Sequence, residues 1–501
     1  MHGIWCKIML KGFSFTYSLL FLLLTPLLSV SQTVEWSNQT KVRSKTFYSQ
    51  ILGENSSGAY MVRCKNNDFR RDIIVEKYKT NLALELSIDL PIPSNNILEK
   101  LVLLENNILF FYSGKNYSSG KIELSCVKMD LFFKPVNTPT IICEVDPSQF
   151  KDNSNFYIKT SGDKSKFALI YIRSTSDKGS STIMFQGFND QLATSYKKEV
   201  AVDFEVSDVF FSSMECNNDG DVFSIIDFPK NIKRNRSTDP RIFYLFAYYQ
   251  TLDKIIQHEI GKDSVFINEI GLVVNNFNKS VCVTGFFSYK QDNTAAGEFY
   301  YKIDVASTII KVKNFEEFPK SFVAKIAGNM QNESTPSLTD IYIRKIIPHS
   351  DGGCLTIAEK YYETKQAYTF YVNGFPQTSY RVMYNFDEII LISKNADGTT
   401  KFKDYIKKNQ SSMSDAGYYS SFVTITGNEK VGLVYNSDAS NEGDVMITTI
   451  SNKGVTDTKV LVKAQSYFVQ LMPNESKQVS GNSSLICTLK DKRFSMMRLT
   501  F

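Results

Sequence analysis

Few residues in this chain are equipped for chemistry. Only three histidines occur among 501 residues, His2, His258 and His349, which excludes His-rich metal or proton-relay chemistry. His349 lies in Pro348-His-Ser-Asp-Gly-Gly353. Members of a catalytic triad come from distant parts of a chain, so this stretch reads as a turn and His258 as a strand residue. Asn217-Asn-Asp219-Gly-Asp221 offers oxygen ligands to a cation but lacks the long loop and terminal glutamate of an EF-hand, and it reads as a hairpin turn. No GxSxG, HExxH or phosphate-loop pattern is present, so neither a metal nor a cofactor is expected.

One stretch gathers varied polar chemistry. Between Lys407 and Phe422 lie Lys408, Gln410, Asp415, Tyr418, Tyr419 and Ser420. A cation, an amide, a carboxylate, a hydroxyl and two phenols in one connecting segment are the groups that orient a polar ligand. These six are the candidate ligand-binding residues. The competing reading is a hydrogen-bonded connection between sheets.

Of eight cysteines, Cys6 falls in the leader described below. The other seven never approach closer than the 17 residues from Cys126 to Cys143. That spacing suits neither a zinc ribbon nor a dense disulfide scaffold. Most sit in apolar runs such as Ser280-Val-Cys282-Val-Thr284, as small core residues do.

Lys+Arg number 57 against Asp+Glu 52, too even a balance for a polyanion-wrapping surface such as nucleic acid demands. The densest basic runs, Lys230 to Arg236 and Lys407-Lys408, read as solvated loops. Residues 1–31 have the form of a secretory signal. Lys7 and Lys11 precede an apolar stretch centred on Leu19–Leu24, and Ser29-Val-Ser31 supplies small residues before Gln32. No later segment is long and apolar enough to span a bilayer. The expectation is a secreted, periplasmic or cell-surface protein with residues 32–501 as its mature part.

The elements that must position these residues are strands. Eight times a polar cluster is followed by a short run rich in β-branched and aromatic residues, starting at 58, 107, 166, 220, 279, 353, 430 and 484. Such runs, bounded by Asn, Asp and Gly, are strand signals. A second pair of strands recurs at 183–200, 243–260, 299–315, 389–406 and 445–462, joined by turns such as Asn395-Ala-Asp-Gly398 and Asn452-Lys-Gly454. A four-stranded antiparallel unit repeated about every sixty residues is the pattern of a β-propeller.

The fold class expected is therefore all-β, with residues 32–501 forming one propeller of seven or eight four-stranded antiparallel blades. The last repeat lacks an outer strand, which the run from Lys41 to Ile51 is expected to supply, so that N- and C-terminal strands close the ring. The alternative is two β-sandwich domains. Helix is confined to short pieces such as 315–325.

The segment Lys408-x-Gln410 followed by Asp415-x-Gly417-x-x-Ser420-Ser421 is similar to one in uncharacterised exported proteins of Bacteroidetes-type bacteria. So are the flanking IILISKNADG, VGLVYNSD and KRFSMMRLTF. In that family the segment precedes a Tyr-Asn-Asp turn; here the turn is Tyr435-Asn436-Ser437-Asp438, with one inserted serine. The resemblance covers residues 380–501 and implies a propeller fold, with no activity attached to it. With a bacterial source, the nine Asn-x-Ser/Thr sequons would stay unglycosylated.

These features together point to an exported, non-enzymatic binding or scaffold protein of the cell envelope. It would recognise a protein or glycan through propeller rim loops. The alternative is a polysaccharide-acting hydrolase or lyase with channel carboxylates.

Overall fold

The computed structural model describes residues 32–42, 48–65, 69–150, 155–175, 179–230, 240–327, 337–427, 429–439, 443–464, 466 and 469–501. The leader and most of the basic run after Lys230 lie outside the described residues. Each of the eight repeated runs becomes the second strand of its own sheet. These strands are Gly58–Cys64, Ile108–Lys115, Lys166–Ser174, Val222–Pro229, Ser280–Ser288, Cys354–Val372, Lys430–Asn436 and Ser483–Lys490.

Their place explains their composition. A second strand is covered on both faces by neighbouring sheets, and Gly58–Cys64, Val222–Pro229 and Ser280–Ser288 are buried at every residue. Burial on both faces calls for near-continuous apolar sequence rather than alternation. The outermost strands do alternate: in Thr194–Val202, Tyr196 is buried while Ser195 and Lys197 face water.

The first strands of the sheets are Tyr48–Asn55, Ile97–Leu103, Tyr157–Thr160, Phe210–Cys216, Phe266–Asn275, Ile341–Pro348, Val423–Gly427 and Lys477–Gln478. Most contact the first strand of the next sheet, and the last of them meets Tyr48–Asn55, so the series closes on itself. Eight antiparallel sheets set radially about one axis make an eight-bladed β-propeller. The blades are numbered one to eight in the order of those strands. Two sandwiches are not formed.

Ring closure differs from the expectation in its register along the chain. The outer strand of blade eight is Thr33–Trp36, paired antiparallel with Met497–Thr500, and Thr40–Lys41 adds to Arg493–Phe494. Tyr48–Asn55 is instead the inner strand of blade one. The closing strand is only four residues long, and its pattern is the short alternation Thr-Val-Glu-Trp. Val34 and Trp36 pack on Ile486, Met497 and Leu499, which seals the joint. The helix also lies later than expected, at Lys320–Ala327, because 315–317 finish an outer strand of blade five.

The two longest repeat intervals contain insertions. The fifth holds that helix, whose Phe322, Val323 and Ile326 are buried against Phe286, Ile390 and Ile392. The sixth holds a long hairpin, Cys354–Val372 paired with Phe375–Lys394, which runs well beyond blade six.

Much of the aromatic content is used between blades. Tyr196 of blade three stacks on Tyr248 of blade four at 3.7 Å between centroids, and Phe111 of blade two packs on Phe167 and Phe188 of blade three. Gly187 permits the first of these: a Cβ there would stand 2.1 Å from the Tyr196 ring. All seven cysteines among the described residues are buried and unbridged, so they are core residues.

Candidate functional site

The six residues proposed from sequence lie between blades six and eight. Lys408 is buried and bonds three ways: to the Phe386 carbonyl at 2.8 Å, to Gln410 Oε1 at 2.8 Å and to Glu359 Oε1 at 2.9 Å. Gln410 donates through Nε2 to the Asn436 carbonyl at 2.6 Å and accepts from the Ser421 amide at 2.8 Å. Asp415 accepts from Ser412 Oγ at 2.6 Å and from the Gly417 amide at 2.9 Å. These bonds tie the segment to itself and to the blades on either side.

Tyr418 meets Tyr48 of blade one and Tyr419 edge-on, at 5.9 and 4.9 Å. Burial pushes the Tyr418 phenol well up and that of Tyr419 up to about 12, so both are neutral near neutral pH. Ser420 is fully buried, and its Oγ has no hydrogen-bond partner among the described residues. The residues are brought together, but Lys408, Gln410 and Ser420 are enclosed and two of them are already bonded. The turn readings agree with the coordinates as well. His349 caps a turn in which its carbonyl accepts from Gly352 and its amide donates to Gly353. Asn217 Oδ1 accepts from the Asp221 amide at 2.7 Å across a hairpin.

A different set of groups faces open space: the lining of the central channel. Inner strands of blades one, two, four, five and six each carry a bulge, at Leu52, Glu99, Ser212, Asn268 and Arg344. A bulge adds one residue to one strand and re-aims the side chains around it. Three of the extra side chains turn back onto their own second strand. Glu99 accepts from Ser113 at 2.5 Å, Ser212 donates to Asp227 at 2.9 Å, and Arg344 donates to Glu359 at 2.9 Å. The next residues along the strands, Lys100, Ser213, Glu269 and Lys345, resume the pairing.

Four lysines line one cavity of about 550 Å³ among blades one, two, three and eight: Lys100, Lys159, Lys164 and Lys477. Each reaches across to a neighbouring blade. Lys100 donates to the Ile158 carbonyl at 2.5 Å, Lys164 to the Leu103 carbonyl at 2.8 Å and Lys477 to the Leu52 carbonyl at 2.8 Å. Lys159 pairs with Glu215 at 2.7 Å. Gln50, Thr160 and Glu99 complete the polar lining, and Leu52, Leu98, Leu101 and Leu103 the apolar part.

The electrostatics follow from this crowding. Burial, then repulsion from Lys159 and Lys477, lowers Lys100 to about 8. Lys164 is lowered by burial. Lys477 is exposed on its strand, yet desolvation by the surrounding protein followed by repulsion from Lys164 and Lys345 lowers it too. Burial raises the Glu99 carboxyl against the counter-effect of Ser113, which favours its neutral form. Charges of one sign on low-dielectric walls focus a field into the space between them.

Sequence reasoning passed over these lysines because no local motif joins them. A signal existed in the repeat register. Lys100, Lys159 and Lys477 each stand seven residues before the start of an apolar run, at 107, 166 and 484, and Lys345 stands eight before 353. Among the described residues, no three His, Cys, Asp or Glu side chains are grouped to hold a metal ion.

The fold class is that of the β-propellers, and solved propellers resemble the chain in architecture. The polysaccharide lyase Uly1 aligns over 93% of this chain and 99% of its own at 10% identity, with a TM-score of 0.40. The WD40 domain of SCAP from fission yeast aligns over 94% and 98% at 10% identity, TM-score 0.39. The propeller domain of the trilobed protease from Pyrococcus furiosus aligns over 74% and 97% at 10% identity, TM-score 0.29. No protein-family model matches the chain, and no curated protein matches it.

Proposed function

We propose that this is an exported binding protein of the cell envelope whose central channel holds an anionic group. That group would be the carboxylate, sulfate or phosphate of a glycan or of an acidic protein segment. The observation that carries the reading is the convergence of Lys100, Lys159, Lys164 and Lys477 on one cavity. Among the described residues only Lys159 of the four makes a direct ion pair, with Glu215. An incoming anion would restore to these amines part of the solvation that burial removes. A volume of about 550 Å³ suits one or two sugar rings or a short side-chain cluster. Export rests on the leader pattern of residues 1–31.

The test is a calorimetric titration of the purified protein with four probes: an oligogalacturonate, a sulfated oligosaccharide, an oligoglutamate peptide and a neutral cello-oligosaccharide. The acidic probes should bind and the neutral one should not. Combined Lys100→Ala and Lys477→Ala should weaken binding about tenfold or more, as removal of two charge-assisted contacts does. Whichever acidic probe binds best tells a glycan from a protein ligand. Equal binding of neutral and acidic probes, or indifference to the two substitutions, would reject the reading.

A second reading, turnover of an acidic polysaccharide, has one observation in its favour. Glu269 on the inner strand of blade five is raised by burial to about 7, where a carboxyl can both take and give a proton. Cleavage of the same oligogalacturonate, lost in Glu269→Gln, would replace the binding role with catalysis.

A further inference from the structure

The hairpin of blade six outruns the propeller, and its end is apolar in an unusual way. Near its base, Gln410–Met413 pairs with Met383–Phe386 as a third strand, and the Ser414 amide bonds the Val382 carbonyl. Beyond Val382 the two strands pair, among the described residues, only with each other. Pairing continues through Tyr368 with Ser379 and Phe370 with Gln377 to Val372 with Phe375 around the turn. The free part projects about 20 Å at roughly 3.3 Å per residue.

Alternation along a strand sends successive side chains to opposite faces. Tyr368, Phe370, Val372 and Phe375 occupy one face, and Tyr371 and Tyr380 the other. Tyr371 is 72% exposed, Phe375 70% and Tyr380 66%. A ribbon that docks on a protein surface hides one face and keeps the other polar. A ribbon tip that is aromatic on both faces suits a medium that surrounds it.

Charge is arranged to match. No Asp or Glu lies between Lys365 and Arg381, and those two cations sit where the free part begins. Arg381 stacks over the Tyr368 ring at 4.3 Å and makes no ion pair among the described residues. Thr369, Asn373, Gln377, Thr378 and Ser379 are interspersed among the aromatics. The outward-facing backbone groups of a lone ribbon also need water, because hydrocarbon offers them no partners. Both features limit immersion to the headgroup region, where Tyr and Phe side chains partition and Lys and Arg meet lipid phosphates.

We propose that this tip is a membrane-surface anchor, the aromatic end of 366–380 entering the interface of an anionic bilayer while Lys365 and Arg381 contact its headgroups. The test is vesicle flotation of the full chain with phosphatidylglycerol-containing and with pure phosphatidylcholine vesicles. The protein should float with the former and far less with the latter. Combined Phe370→Ser, Tyr371→Ser and Phe375→Ser should reduce flotation about tenfold or more, leaving the unfolding temperature and the channel titrations unchanged, since these side chains are exposed. Lys365→Gln with Arg381→Gln should abolish the preference for anionic lipid. A Phe375→Trp reporter should shift its emission to the blue on vesicle addition. The proposal is overturned if the parent protein does not float, or if the serine variant floats equally well. A tip-dependent dimer in sedimentation without lipid would assign the surface to a second copy and also overturn it.

Discussion

Single residues here either only hold blades together or also line the cavity, and their types alone do not separate them. Glu475 shows the first kind. It sits in a tight turn just before the inner strand of blade eight, and its Oε2 accepts from the Ser49 amide of blade one at 2.6 Å. Its other oxygen is buried without a hydrogen-bond partner among the described residues. Burial therefore dominates, and the carboxyl is raised to about 8. A raised folded-state value means that the native protein holds a proton the unfolded chain releases near pH 4.5. Stability from this group is complete below about pH 4.5 and is lost as pH rises towards about 8. Thermal unfolding should show Glu475→Gln close to the parent near pH 4.5 and more stable near pH 8. A difference that stays constant between the two would contradict this.

The channel lysines belong to the second kind. In sequence each looks like an ordinary strand lysine, as does Lys254 on an exposed outer strand. What distinguishes Lys100, Lys159 and Lys477 is that they occupy inner strands, while Lys164 lies in the turn that follows one. The only trace of that in the sequence is their constant spacing from the apolar runs.

At the scale of elements, the second strands were fully legible because burial on both faces leaves an unbroken apolar run. Five outer hairpins were legible from their turns, but those of blades one and two, built from Ile74–Tyr78 with Leu84–Asp89 and Ile122–Met129 with Thr140–Val145, were not. Short pieces carried no such mark: the four residues of Thr33–Trp36, and the two of Lys477–Gln478 that form the inner strand of blade eight. The segment 407–422 was legible as chemistry but not as location. Its variety of polar groups serves to satisfy one another inside the ring. Lys408 and Glu359 are both buried, with side chains 2% and 0% exposed, and Glu359 Oε2 also receives Arg344 and Ser421. Lys408→Met keeps volume but removes the cation from one carboxylate oxygen. It should cost about 3 kcal/mol, the lower end for breaking a buried pair, since Arg344 remains. Denaturant unfolding measures this, and a loss below about 1 kcal/mol would show that the strut is redundant.

As a whole molecule, the ring makes the site. The inner strands of blades one to three lie within residues 48–160 and that of blade eight at 477–478, and closure by Thr33–Trp36 on Met497–Thr500 holds the first and last blades together. The repeat predicted this architecture down to seven or eight blades, and the structure has eight. It did not predict what the channel would contain, because channel chemistry is a property of the assembled circle. Binding of a sulfated oligosaccharide measured against pH tests the channel reading most directly. Lys100, lowered to about 8, should lose its charge well before an ordinary lysine. Affinity should fall as pH rises through about 8, and Lys100→Arg, which stays charged, should lessen that fall. Binding that is flat to about pH 10, or falls identically in the arginine variant, would contradict an anion site built on Lys100.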